Sequence, residues 1–191
     1  MVAPMRPWPV LLALAACGDP SGRPRHYELG TCGAVDITDE DPGVHVSQGS
    51  LIQWSTNPPT SGMHFPIWAA WTRSYGTLDR GFWVHNLEHG AVVLAWRCDT
   101  PCPDEVAQLE DAVRALPTDS QCEGTDRVRA IVVEDPLLPD GVRFAAIAWG
   151  VMYTASCVDP AAIARFAADF YDHAPEDTCA SGASIGGTLI E

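Results

Sequence analysis

Apolar positions settle into regular order only in the second half of the chain. AVVLAWRC, residues 91–98, is a near-continuous apolar and β-branched run and predicts a buried strand. PDEVAQLEDAVRAL, 103–116, spaces Val106, Leu109, Val113 and Leu116 at helical intervals behind an acidic first turn, and predicts a helix. RVRAIVVED and VRFAAIAWGVMYT predict strands on either side of the turn PLLPDG. DPAAIARFAADFYDH predicts a second helix, with Asp159 as N-cap and Pro160 at the first helical position. From Tyr27 to Gly90 the pattern breaks up. DEDPG, NPPTSG and YGTLDRG are turn signals that leave room only for short extended pieces such as VHVSQ and LIQWS. The tail CASGASIGGTLIE reads as an edge strand or as unpaired chain, and no internal repeat is present.

The order strand, helix, strand, strand, helix predicts an α+β fold, a mixed sheet with two helices on one face. A ferredoxin-like split βαβ arrangement fits that order. The irregular N-terminal half would then lie across the sheet or its end and contribute loops.

Composition adds compartment and charge. The chain has 191 residues, a formal charge of -14 from 25 acids against 11 basic residues, and no lysine. Such acidity excludes nucleic acid and anionic lipid headgroups as partners held by surface charge. MVAPMRPWPVLLALAA, residues 1–16, carries Arg6 before an apolar stretch too short to span a bilayer, as a secretory signal does. Leu14-Ala15-Ala16-Cys17 resembles a bacterial lipobox, which predicts cleavage before Cys17 and a membrane anchor through lipid on that cysteine. Residues 17–26 read as a tether rich in Gly, Pro and Ser, and residues 27–191 as one globular domain. With Cys17 assigned to lipid, Cys32, Cys98, Cys102, Cys122, Cys157 and Cys179 remain, an even number that in an exported chain predicts three disulfides. Cys122 is expected to reach Cys98 or Cys102, while Cys157 and Cys179 are placed to pair with each other or with Cys32.

Histidine carries the candidate chemistry. His85 and His89 are four apart, so they share a face on a helix or on a strand. His64 follows NPPTSG and His45 lies in VHVSQ. His85-Asn86-Leu87-Glu88-His89 matches H-x-x-E-H, in which the glutamate is general base for a metal-bound water. That motif needs a continuing helix, whereas Gly90 and a strand-like run follow at once, so Glu88 is expected to point away from the two histidines. Trp68, Trp71, Tyr75, Trp83 and Trp96 supply rings able to exclude water, and Glu88, Asn86 and Ser61 supply groups able to bond the outer ring nitrogens.

NPPTSGMHF and VHNLEHGAVVLAW, with AWG at 148–150 and PE at 175–176, resemble the bacterial family of domain of unknown function 3105, marked by P-P-T-S-G-P-H and H-N-L-E-H-G. The resemblance runs from about His45 to Glu176 and implies a secreted or membrane-attached protein. The chain departs from the family at Met63, in place of a proline, and in its six cysteines.

These observations predict a cell-envelope lipoprotein that binds copper or zinc through His64, His85 and His89, with His45 as a fourth ligand. A thioether from Met63 or Met152 would tilt the site toward copper that can visit Cu(I). Two other readings stay open. One is a metal-dependent hydrolase or oxidase with Glu88 as base; the other is a structural lipoprotein whose histidines only hydrogen-bond.

Overall fold

The computed structural model describes residues 24–191. The signal peptide at 1–16, Cys17 and the tether up to residue 23 lie outside the described residues. Strands β1 (His26–Leu29), β2 (Gly33–Ile37), β5 (Arg73–Thr77), β6 (Val92–Trp96), β7 (Ala130–Glu134), β8 (Phe144–Ala148), β9 (Val151–Ala155) and β10 (Thr188–Leu189) form one sheet. Their order is β1-β2-β9-β8-β6-β7-β5-β10, and β3 (Val44–His45) pairs with β4 (Met63–His64) in a separate two-stranded ladder. Three helices complete the described residues: α1 (Arg80–Glu88), α2 (Pro103–Ala115) and α3 (Pro160–Phe170). The fold is α+β with a mixed sheet.

The centre of the sheet is parallel. β7 lies between β5 and β6 and runs parallel to both, while β8, β9, β2 and β1 follow antiparallel. The ferredoxin-like split does not form, because β6 and β7 are direct neighbours from Val92↔Ala130 to Trp96↔Glu134, with no strand inserted between them. The crossovers β5-α1-β6 and β6-α2-β7 travel in opposite directions along the sheet. Right-handed connection therefore sends their helices to opposite faces.

Two cores follow. Alternate residues Val92, Leu94, Ala130, Val132, Phe144 and Ala146 pack against Leu109 and Val113 of α2 and Ile163 and Phe166 of α3. The intervening Val93, Ala95, Ile131, Val133, Ala145 and Ile147 pack against Trp83, Val84 and Leu87 of α1 and against Trp71 and Tyr75. Strands buried on both faces read as unbroken apolar runs. The two helices expected from periodicity do share one face; α1, on the other, adds a third layer.

The segment 142–154, expected as one strand, is the hairpin β8-β9 turning at Trp149 and Gly150. The tail supplies an edge strand, as Thr188 and Leu189 pair with Ser74 and Arg73. Asp159 caps α3, its carboxylate accepting from the Ala162 N–H.

All six cysteines of the domain are bonded, as Cys32–Cys157, Cys98–Cys102 and Cys122–Cys179. The expected bond from Cys122 to Cys98 or Cys102 does not form. Cys98 and Cys102 close on each other across the turn between β6 and α2, while Cys122 ties the loop after α2 to the C-terminal segment. Three disulfides mark a chain of an oxidising, non-cytoplasmic compartment. Among the described residues no helix is long and apolar enough to cross a membrane.

Candidate metal centre

Helix α1 carries the site. Every residue from Arg80 to Glu88 is buried, the polar ones included, so the helix has no solvent face. Burial favours a protein partner for each polar side chain, and Arg80, His85, Asn86 and Glu88 have one. Arg80 donates to both oxygens of Asp135, at 3.2 and 3.0 Å from Nε, and to Asn57 Oδ1 at 2.8 Å. Asn86 takes up both backbone groups of Ala69: its Nδ2 donates to the carbonyl at 2.8 Å, and its Oδ1 accepts from the N–H at 3.0 Å. This clips the 65–72 segment onto the helix and brings Trp68 over the histidine rings, 4.9 Å from His85 and 4.4 Å from His89 between centroids.

The helix ends in a Schellman motif. Gly90 has φ +89°, its N–H bonds to Leu87 O at 2.9 Å, and the Ala91 N–H bonds to Asn86 O at 3.1 Å. His89 is the C-cap. Gly90 is therefore the stop signal of a helix that contains the motif. The expectation that Glu88 points away from His85 and His89 is overturned, since its carboxylate lies within 4.8 Å of donor atoms of both, and its Oε2 lies 2.9 Å from Nε2 of His64.

His45 and His64 sit side by side because β3 and β4 pair in parallel with those two residues in register. His64 is fully buried and His45 exposed. Ring centroids are 4.9 Å apart for His45 and His64, 4.8 Å for His45 and His85, and 4.6 Å for His64 and His85. Donor atoms of His45, His64, His85 and Glu88 all lie within 4.8 Å of one another, a set that could hold a metal ion. A second set on the same criterion is Glu88, His89 and Glu176. Gly43 makes room for the shared carboxylate, because a Cβ there would overlap Oε1 of Glu88.

Tautomers follow from the hydrogen bonds. Nδ1 of His64 lies 2.8 Å from the Gly62 carbonyl, and Nδ1 of His85 lies 2.6 Å from the Phe65 carbonyl. A carbonyl has no proton to give, so both Nδ1 atoms carry one and both Nε2 atoms present bare lone pairs. Nε2 of His64 is buried without a hydrogen bond, although the Glu88 carboxylate is beside it. Burial, and then the neighbouring His64, pushes the His85 imidazole down to about 3, and burial likewise lowers His64 and His89. Protons are thus disfavoured where a carboxylate and lone pairs converge.

Of the residues expected from sequence, His64 and His85 come together with His45 and Glu88. His89 stands to one side, its Nε2 at 3.1 Å from both His85 Nε2 and Glu176 Oε2. Met63 is 40% exposed on the strand position next to fully buried His64, so it faces the other way. Met152 is partly buried and packs against the core cluster that includes Trp83, Val84 and Leu87. Asn86 and Ser61 do not bond ring nitrogens; Asn86 holds Ala69, and the Ser61 hydroxyl accepts from the Asp41 N–H at 2.8 Å. Of the five aromatic residues expected to enclose the histidines, Trp68 packs on the His85 and His89 rings. Trp71, Tyr75 and Trp83 belong to the core on the α1 side, and Trp96 to the opposite core.

Sequence reasoning missed the backbone partners Gly62 and Phe65, which no side-chain pattern announces, and the role of Gly43. It met Glu176 only as part of the family motif.

The family described as protein of unknown function DUF3105 matches residues 45–182, a span that holds every side chain of both sets. No curated protein and no solved structure matches the chain. The chain belongs to the DUF3105 family.

Proposed function

We propose that this is a cell-envelope lipoprotein, anchored through lipid on Cys17, whose domain holds a divalent transition metal, zinc or copper(II), between His45, His64, His85 and Glu88. The observation that carries the reading is that His64 and His85 each commit Nδ1 to a backbone carbonyl, while Nε2 of His64 lies 2.9 Å from the Glu88 carboxylate and donor atoms of His45, His64, His85 and Glu88 lie within 4.8 Å of one another. Metal-binding histidines use this outer hydrogen bond to fix the ring and its tautomer. Three imidazoles and one carboxylate suit zinc or Cu(II). With Met63 turned outward, the argument from sulfur toward Cu(I) falls away.

A bound ion supplies Lewis acidity and lowers the pKa of a water on it. The protein's part is to orient the ligands and, with Trp68, to keep one side dry. Metal handling is favoured over hydrolysis or oxidation with Glu88 as base, because a glutamate spent as a ligand has little capacity left as a proton acceptor. Glu88→Gln separates these readings: loss of turnover with metal retained marks a base, and loss of the metal marks a ligand.

The deciding experiment strips the full-length protein with chelator, adds Zn(II) or Cu(II), and measures bound metal after gel filtration. Retention of metal that falls in the His64→Ala, His85→Ala double variant is expected. No retained metal, with the same melting temperature before and after chelation, would leave a structural lipoprotein.

A further inference from the structure

Glu88 belongs to both candidate sets, and the second is anchored as firmly as the first. The backbone N–H of Glu176 donates to the carbonyl of Glu88 at 3.0 Å, which ties the segment after α3 to the end of α1. Arg129 adds two bonds to the same corner, donating from Nη1 to His89 O at 2.9 Å and to Asp177 at 2.7 Å. The Cys122–Cys179 disulfide closes the segment from the other side. The Glu176 side chain is therefore delivered to His89 by backbone and covalent constraints.

His89 differs from His64 and His85 in one respect. Its Nδ1 is buried without a partner, and its proton sits on Nε2, because the two groups that face Nε2 can only accept. Its Nε2 meets the bare Nε2 of His85 and the Glu176 carboxylate, both at 3.1 Å. A buried imidazole that shares one Nε2 proton between a lone pair and a carboxylate, with Nδ1 left unpartnered, is an incomplete hydrogen-bond arrangement, and a cation replacing that proton would meet His89, Glu176 and Glu88 together.

We infer that the site is dinuclear: Glu88 bridges the ion held by His45, His64 and His85 to a second divalent ion held by His89 and Glu176. This rests on the reading of the first site. Ions in two-metal sites stand roughly 3.5–4 Å apart, a separation that one bridging carboxylate would span. The second ion has fewer protein donors, and Glu176, 57% exposed, opens it to solvent. It is the exchangeable ion of the pair and the one that a small oxygen-donor ligand reaches.

The test uses full-length, chelator-stripped protein loaded with Zn(II), with zinc per chain measured after gel filtration. A parallel Cu(II) loading is followed by electron paramagnetic resonance, in which two ions sharing a carboxylate couple and lose the isolated-ion signal. Two zinc ions per chain are expected, falling to one in Glu176→Ala with circular dichroism unchanged, and in that variant the isolated Cu(II) signal should return. One ion in both proteins overturns the second site and leaves the first intact. Two ions in both also overturns it, since the second ion would then lie elsewhere. No ion in either removes the first reading as well.

Discussion

Gly43→Ala is the sharpest perturbation of the site, because it alters an exposed position, two residues before His45, that supplies no ligand atom of its own. The added methyl would overlap Oε1 of Glu88 and come within 3.5 Å of Cε1 of His64. The fold tolerates this cheaply: the clash is with the end of a flexible side chain, and Gly43 has no left-handed backbone requirement. The metal does not. Ligand distances hold to about 0.2 Å, and the carboxylate must retreat by several times that. Supporting residues of metal sites typically cost 10–100-fold in affinity when changed, or about 1.4–2.7 kcal/mol. A chromophoric chelator competing for zinc at fixed pH measures the loss, and thermal melting of the metal-free protein serves as control. Affinity within twofold of the parent would refute the reasoning, as would a fall in affinity matched by a large fall in metal-free stability.

Asn86→Ala leaves two buried backbone groups of Ala69 without partners, and at roughly 1–3 kcal/mol each should lower stability by about 3 kcal/mol in denaturant titration. Acid should destabilise the metal-free protein: the unfolded chain takes up protons on histidine below pH 6.5, whereas folded His85 does so only near 3. Between those values stability falls with pH by up to about 1.4 kcal/mol per unit for His85 alone, and urea midpoints that stay flat from pH 6.5 to 4 would contradict this. Cys122→Ser with Cys179→Ser opens a separation of 57 residues and should cost about 4 kcal/mol on the chain-entropy account, read as a lowered urea midpoint. Cys17→Ala should abolish incorporation of labelled fatty acid and release the protein from the membrane fraction; label retained in that variant would contradict the anchor.

The legible part of the fold is the part whose period matches its burial. α2 and α3 each show one apolar stripe because each has one face on the sheet, and β6 to β8 show unbroken apolar runs because both of their faces are covered. α1 shows neither pattern. It is buried on all sides yet carries Arg80, His85, Asn86 and Glu88, whose partners Asp135, Phe65, Ala69 and His64 lie elsewhere in the chain. No local rule distinguishes such a helix from a loop. The N-terminal strands escaped for a different reason: β1, β2 and β5 are short, only partly buried, and defined by neighbours that arrive much later, as β2 pairs with β9 and β5 with β7. The parallel pairing of β6 and β7 was likewise beyond reach, because strand order depends on which neighbour a crossover lands beside.

At the site, residue types were legible and directions were not. His85 and His89 were rightly seen as neighbours, but four residues of helix bring their rings close while giving them different company: the Phe65 carbonyl behind one and Glu176 beside the other. Gly90 illustrates the difficulty. Read along the chain it breaks a helix, and that argued against the H-x-x-E-H geometry. In space it completes the Schellman turn that keeps His89 within one helical turn of His85 and turns its carbonyl to Arg129. A Cβ at Gly90 would meet both the Arg129 guanidinium, at 2.7 Å, and the backbone of Asp172, at 3.0 Å. The same glycine thus ends the helix, admits the arginine that holds the Glu176 segment, and lets β6 begin. The feature that argues against a metal motif along the chain is, in space, the end of the helix whose glutamate belongs to both candidate donor sets.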